Sequence, residues 1–166
     1  MGKKTKSKGS TPATVELERA GIAFDVYEYE HSNDHMDDGY GIEAARKLGF
    51  DEHQVFKTLM ADTGMARVVG VVPVSGHMDL KALAAAVGAK KAVMADPKVA
   101  MRESGYVVGG ISPLGQKTRH ATVLDDSALQ FDRILVSGGK RGFSVGIAPQ
   151  DLLDVLNATA APISTW

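Results

Sequence analysis

Apolar positions along the chain switch period repeatedly, and each switch marks an element. Thr11-Pro12 opens a helix, with Thr11 as cap and Pro12 in the first turn; Ala13, Leu17 and Ala20 share one face and Gly21 stops it. Residues 23–29 form a strand, with Phe24 and Val26 on one face and Tyr27 and Tyr29 on the other. A polar loop from His31 to Tyr40 leads to a second helix marked by Ile42, Ala45 and Leu48 and closed by Gly49. Val55–Ala61 and Arg67–Val74 are strands on either side of the turn Asp62-Thr63-Gly64, the pattern of a hairpin. Leu80, Leu83, Ala84 and Val87 keep helical spacing between the cap Asp79 and the stop Gly88. Asp96-Pro97 starts another helix, ended by Gly105. Strands are then predicted at 106–109, 121–125, 133–137 and 143–147, and Pro149 starts a last helix carrying Leu152, Leu153 and Leu156.

Helices and strands are intermixed without strict β-α-β alternation, and the hairpins call for a mixed, largely antiparallel sheet with helices packed around it. The class is therefore α+β and not a doubly wound nucleotide fold. No internal repeat or linker divides the chain, and 166 residues suffice for one domain with a real core. Residues 11–166 are read as that domain, and residues 1–10 as a disordered basic tail.

Composition narrows the chemistry. Cysteine is absent, which excludes disulfides, thiolate zinc sites and a cysteine nucleophile. No apolar run reaches the roughly 18 residues of a membrane span. No apolar segment follows Lys3, Lys4, Lys6 and Lys8, so no secretory signal is expected and the cytoplasm is the expected location. Four of the 19 basic residues lie in positions 1–10, which hold no acid, so the remaining 15 face 20 acids. A domain of that balance suits the end of a nucleic acid better than a long stretch of duplex.

Four segments offer chemistry. Lys57 interrupts the apolar strand Val55-Phe56-Lys57-Thr58-Leu59-Met60 and shares a face with Val55 and Leu59. On an inward face it needs an anionic partner; on an edge strand its amine snorkels to water. Gly109-Gly110-Ile111-Ser112-Pro113-Leu114-Gly115 can bring backbone N–H groups close to an oxyanion, or simply end a strand; Leu114 rules out a serine-hydrolase elbow. Ser137-Gly138-Gly139-Lys140-Arg141-Gly142 is either a phosphate nest with two cations or a hairpin turn; it is not a Walker loop, because Arg141 follows Lys140. His31, Asp34, His35, Asp37 and Asp38 are possible metal ligands, but Asp-Asp-Gly at 37–39 favours a solvated loop, and no metal or other cofactor is expected. His53, His77 and His120 have no carboxylate or nucleophile at useful spacing.

In order, these segments resemble the YbaK-type Cys-tRNA deacylases, relatives of the editing domain of bacterial prolyl-tRNA synthetases. The resemblance runs from Thr11-Pro12-Ala13 through Tyr29-Glu30-His31, Val55-Phe56-Lys57-Thr58-Leu59, Asp79-Leu80-Lys81 and Met94-Ala95-Asp96-Pro97 to the two glycine-rich runs. It implies a mixed sheet partly closed into a barrel and surrounded by helices. It also implies a metal-independent hydrolase that removes a wrong amino acid, cysteine on proline tRNA first, from the tRNA 3′ end. A prolyl-tRNA synthetase is the implied protein partner. The family's catalytic lysine falls on Lys57, its oxyanion-holding backbone N–H groups on Gly109 and Gly110, and its glycine loop, with substrate contacts at Ile111, Ser112 and Pro113, on Gly109 to Pro113. Substrate-binding positions fall on Tyr29, Tyr40, Thr58 and Ser137. The family pattern has an acid two positions after Gly142, where this chain has Ser144. Rival readings are a sibling deacylase for another small amino acid, such as alanine on proline tRNA, a non-catalytic module that holds tRNA ends or a synthetase, and a metal-dependent hydrolase built on the His31–Asp38 loop.

Overall fold

A computed structural model describes residues 10–30 and 40–166. The basic tail and the His31–Asp38 loop lie outside those residues, apart from Ser10. Helix α1 (Pro12–Ala20) starts at a capping box: the Thr11 hydroxyl accepts from the Thr14 N–H, and the Thr14 hydroxyl accepts from the Thr11 N–H. Gly21 ends it in the left-handed conformation, φ 70°. Then come β1 (Asp25–Glu28), α2 (Tyr40–Leu48), β2 (Phe56–Asp62), β3 (Arg67–Pro73), β4 (His77–Met78), α3 (Leu80–Ala86), β5 (Val93–Met94) and α4 (Pro97–Ser104). After a long irregular stretch the chain continues with β6 (Ala121–Asp125), a 3-10 turn (Asp126–Gln130), β7 (Ile134–Lys140), β8 (Phe143–Ile147), α5 (Pro149–Leu156), β9 (Thr159–Ala161) and β10 (Ser164–Thr165). The predicted helices and the β2–β3 hairpin stand where the caps and glycine stops place them.

One sheet has the order β5-β2-β3-β6-β9, a second β1-β8-β7, and β4 pairs with β10. In the largest sheet β2 is antiparallel to β3 and β5, whereas β3–β6 and β6–β9 are parallel. The expected partial barrel is not formed: none of the three sheets of the described residues closes on itself. The reason lies at β2. It meets β7 at one parallel bridge, Val55–Leu135, while its other end is taken by the two-residue β5. The two larger sheets therefore abut at a corner and stay open.

The strand predicted at 106–109 is also absent. Gly105 (φ 83°) ends α4, and Gly109 (φ 90°) turns the chain so that the Gly110 N–H donates to the Val107 carbonyl at 2.9 Å. Val107 and Val108 remain exposed on this turn and cannot join a ladder there. The largest core cluster joins Ala13 and Leu17 of α1, Val71 of β3, Val136 and Val145 of the β7–β8 hairpin and Leu152 of α5. It carries the hairpin and α1 as one block beneath the glycine-rich segments.

Candidate active site

A cavity of about 340 Å³ opens at the corner between the two larger sheets. Every residue from Val55 to Met60 borders it, because it lies along the edge of β2 and so meets both faces of the strand. The edge is open for a definite reason. The Val74 N–H donates to the Val55 carbonyl, so in the β2–β3 ladder the odd-numbered residues of β2 aim their backbone groups at β3. Thr58 therefore aims its N–H and C=O the other way, into the gap between the β5 pairing at Ala61 and the β7 bridge at Val55. The Thr58 hydroxyl oxygen is also buried without a hydrogen-bond partner among the described residues. Polar capacity on a buried edge is what a bound polar ligand satisfies.

The charges on the cavity wall have one sign. Among the described residues that line it, Lys57 and Lys140 are the charged ones, and none is a carboxylate. Lys57 is half-buried, and burial holds its amine below the ordinary lysine value. Its ammonium makes no ion pair or hydrogen bond among the described residues. Ser144, where the resemblance implied an acid, is buried in the same wall and neutral, opposite Ser137 in the β7–β8 register and opposite Tyr27 in β1. Asp125 does not replace that acid. Its carboxylate caps the 3-10 turn at Ser127 and accepts the Ile163 N–H at 2.9 Å, away from the cavity. The Lys140 ammonium lies 5.2 Å from the centre of the Phe143 ring, a cation–π contact that holds it at the wall.

The two glycine-rich runs meet here. A methyl group on Gly110 would come within 2.7 Å of the Lys140 Cα, so no larger residue fits between the segments as they stand. The Arg141 guanidinium donates from Nε to the Val108 carbonyl at 2.9 Å. The Thr11 hydroxyl donates to the Gly138 carbonyl at 2.6 Å, and Gly115 packs directly on the Pro12 backbone. The first turn of α1 thus braces both runs. Ser137-Gly138-Gly139-Lys140-Arg141-Gly142 is the irregular end of the β7–β8 hairpin, with Gly139 at φ 111° and a register shift between Ser137 and Lys140.

Of the residues singled out in the sequence, Tyr29, Lys57, Thr58, Gly109, Ile111 and Ser137 border the cavity together. Tyr29 is tied by its N–H to the Gly142 carbonyl at 3.0 Å; burial, and then the nearby Glu43 carboxylate, push its phenol upward, so it stays protonated and can donate. Tyr40 is the first residue of α2, next to the lining residues Gly41 and Ile42. Gly110, Ser112 and Pro113 are not on the wall. The Gly110 N–H is used within its turn, and Ser112 is fully buried with its hydroxyl accepting from the Leu114 N–H at 3.1 Å. The N–H groups of Gly109 and Ile111 have no partner among the described residues. The apolar wall at Ile42, Met94, Ala100 and Val136 was not singled out, since apolar residues carry no mark of which cavity they face. Among the described residues no group of three or more His, Asp or Glu side chains is placed to hold a metal ion.

Such a site suits a small ligand that brings an anionic end to Lys57 and a polar group to the β2 edge. Comparison with known proteins gives the class. The chain belongs to the aminoacyl-tRNA editing domain family, which its residues 39–155 match. It is 36% identical over 163 residues to an Enterococcus faecalis protein named "Putative Cys-tRNA(Pro)/Cys-tRNA(Cys) deacylase EbsC", covering 98% of both chains. Among solved structures it is similar to "a putative trans-editing enzyme for prolyl tRNA synthetase" (TM-score 0.81, 24% identity, 95% of this chain and 99% of that one). It is also similar to the hypothetical protein APE2540 (TM-score 0.82, 20% identity, 93% and 100%). At those identities the structural likeness concerns the fold. No helix among the described residues is long and apolar enough to cross a membrane.

Proposed function

We propose that the cavity hydrolyses the ester joining a wrong amino acid to the 3′ end of tRNA, with cysteine on proline tRNA as the preferred substrate. The observation that carries this reading is Lys57: a half-buried cation on a wall where, among the described residues, there is neither a countercharge nor a carboxylate. A terminal phosphate or ribose end supplies the missing partner, and Lys57 acts as a charge clamp that places the ester. The preference for cysteine rests on the 36% identity to the Enterococcus faecalis protein and its name.

An aminoacyl ester is reactive enough that positioning and oxyanion stabilisation suffice. The substrate thiol attacks its own carbonyl carbon. A carbon–sulfur bond forms, the ester carbon–oxygen bond breaks, and the thiol proton ends on the released ribose hydroxyl; water then opens the thiolactone to free cysteine. The N–H groups of Gly109 and Ile111 are the donors available to the developing oxyanion. Thr58 and Ser137 face the amino acid, and the Tyr29 phenol adds a donor beside them. Acting on a free tRNA or on one handed over by a prolyl-tRNA synthetase, the enzyme belongs in the cytoplasm, where tRNAs are charged.

Deacylation of tRNAs charged with cysteine, serine and alanine, by the protein and by Lys57→Ala, tests this reading. Rapid loss of cysteine, slow loss of serine and a strongly impaired variant are expected, because the hydroxyl is a far weaker nucleophile than the thiol. Equal rates on cysteine and serine would point to an enzyme-held water. Binding without hydrolysis would leave a tRNA-holding module.

A further inference from the structure

Behind the glycine turn, on the side away from the cavity, lies a histidine that the mechanism above does not use. The His120 side chain is 6% exposed. Its Nε2 lies 2.7 Å from Oε1 of Glu103, at the end of α4. The other oxygen of that carboxylate accepts from Nε of Arg67 in β3 at 2.7 Å, and Arg67 in turn faces Asp62 of β2 at 3.7 Å. The His120 Nδ1 lies 3.0 Å from Oε1 of Gln116. The orientation of that amide is decided by its other contact. Gln116 Nε2 lies 2.9 Å from the Ser112 carbonyl oxygen, which can only accept, so the nitrogen must face Ser112 and the oxygen must face His120. The remaining charged neighbour is Arg119, whose guanidinium turns away to Glu16 of α1 and the Val155 carbonyl.

Both ring nitrogens of His120 thus face acceptors, an arrangement satisfied only when both carry a proton. Removing either proton sets a ring lone pair against the Glu103 carboxylate or the Gln116 carbonyl. Turning the Gln116 amide to relieve the second case takes its N–H from Ser112. Ser112 follows Ile111 directly, and Ile111 and Gly109 line the cavity.

Resting on the deacylase reading, we propose that His120 in its doubly protonated form is a positioning residue. Through Gln116 and the Ser112 carbonyl it holds the Gly109–Gly115 segment against the cavity, so that deprotonation of a histidine outside the pocket slackens the oxyanion donors.

The test has a direct reading and a kinetic one. In ¹⁵N NMR of the full chain at pH 6, both His120 ring nitrogens should appear protonated, and the amide signals of Gly109, Ile111 and Ser112 should shift with the same midpoint as the ring. A ring with one proton at pH 6, or loop amides indifferent to its titration, would overturn the proposal. This reading needs no activity, so it stands apart from any failure of the deacylase assignment. For kinetics, Gln116→Met keeps the bulk and breaks the relay. Turnover on cysteinyl-tRNA relative to the unaltered protein should be about tenfold lower below the titration, and the two should converge above it. His120→Asn keeps a non-titrating donor toward Gln116, so its turnover relative to Gln116→Met should stay constant with pH, and relative to the unaltered protein it should rise as pH rises. A deficit of Gln116→Met that is constant with pH would mean that His120 only packs, and would reject the proposal.

Discussion

Gly110 packs against the backbone of Lys140 so closely that a Cβ at position 110 would sit 2.7 Å from the Lys140 Cα and 3.0 Å from the Arg141 nitrogen. The obstacle is main chain and not the far end of a flexible side chain, so one segment must move. Gly110→Ala is expected to cost about 1–3 kcal/mol of stability, as overpacking does, and to lower deacylation about tenfold by shifting the Gly109–Ile111 turn. Thermal melting and kinetics measured together check this; an alanine variant with normal melting and turnover would show that the contact is not a constraint.

Lys57→Ala should fold and melt at or above the temperature of the unaltered protein, because a half-buried charge without a partner is removed. Its catalytic efficiency should fall by about two orders of magnitude, the upper end of losing a charge-assisted contact of about 1.5–3 kcal/mol. Lys57→Arg should recover only part, since a planar guanidinium cannot stand where a compact ammonium does. The pH dependence has a definite sign. Burial lowers the folded-state value, so between it and the ordinary value the unfolded chain binds more protons, and stability rises with pH across that window. The melting advantage of Lys57→Ala should therefore be largest below the window and vanish above it.

The Thr11 hydroxyl serves two elements at once, accepting from the Thr14 N–H at 3.2 Å and donating to the Gly138 carbonyl at 2.6 Å. Thr11→Ala should lose the cap, worth about 1 kcal/mol, and leave a buried carbonyl without its donor, at about 1–3 kcal/mol. Thr11→Ser keeps the hydroxyl and should recover most of the loss. Urea unfolding of the pair separates the hydroxyl from the methyl group.

Glu103 is pushed down to about 2, first by its hydrogen bond from Arg67 and then by that from His120. A depressed carboxylate contributes stability that is complete above its unfolded value and is lost as pH falls toward the folded one. Acid titration of the melting temperature should show a decline between about pH 4.5 and 2, and Glu103→Gln should flatten it. A decline unchanged in Glu103→Gln would place the acid sensitivity elsewhere.

Local chemistry explains what was readable beforehand. Helix ends at Thr11, Asp79 and Asp96, and glycine stops at 21, 49, 88 and 105, are set by neighbours a few residues apart, and they stand where expected. The two- and three-residue strands β4, β5, β9 and β10 exist only through distant partners, so no periodicity announces them. Val107 and Val108 look like a strand by propensity, but two left-handed glycines on either side make them a turn. Lys57 stood out because a charge in an apolar strand is costly wherever it lies. The Glu103–His120 pair did not, because a loop, and not a shared helix face, brings residues 17 positions apart together.

A sheet edge normally invites another strand, and natural proteins guard against polymerisation by blunting or covering it. The β2 edge is guarded by its brackets: β7 touches it at Val55, β5 pairs at Ala61 and the Met60 carbonyl accepts the Ala95 N–H, so among the described residues only Phe56 to Leu59 lie between them. At about 3.3 Å per residue the opening is roughly 13 Å long. A foreign chain could enter in register only by evicting β5 or β7. A compact ligand meets no such barrier, so hydrogen-bonding capacity that would make an open sheet sticky is reserved here for molecules of small size.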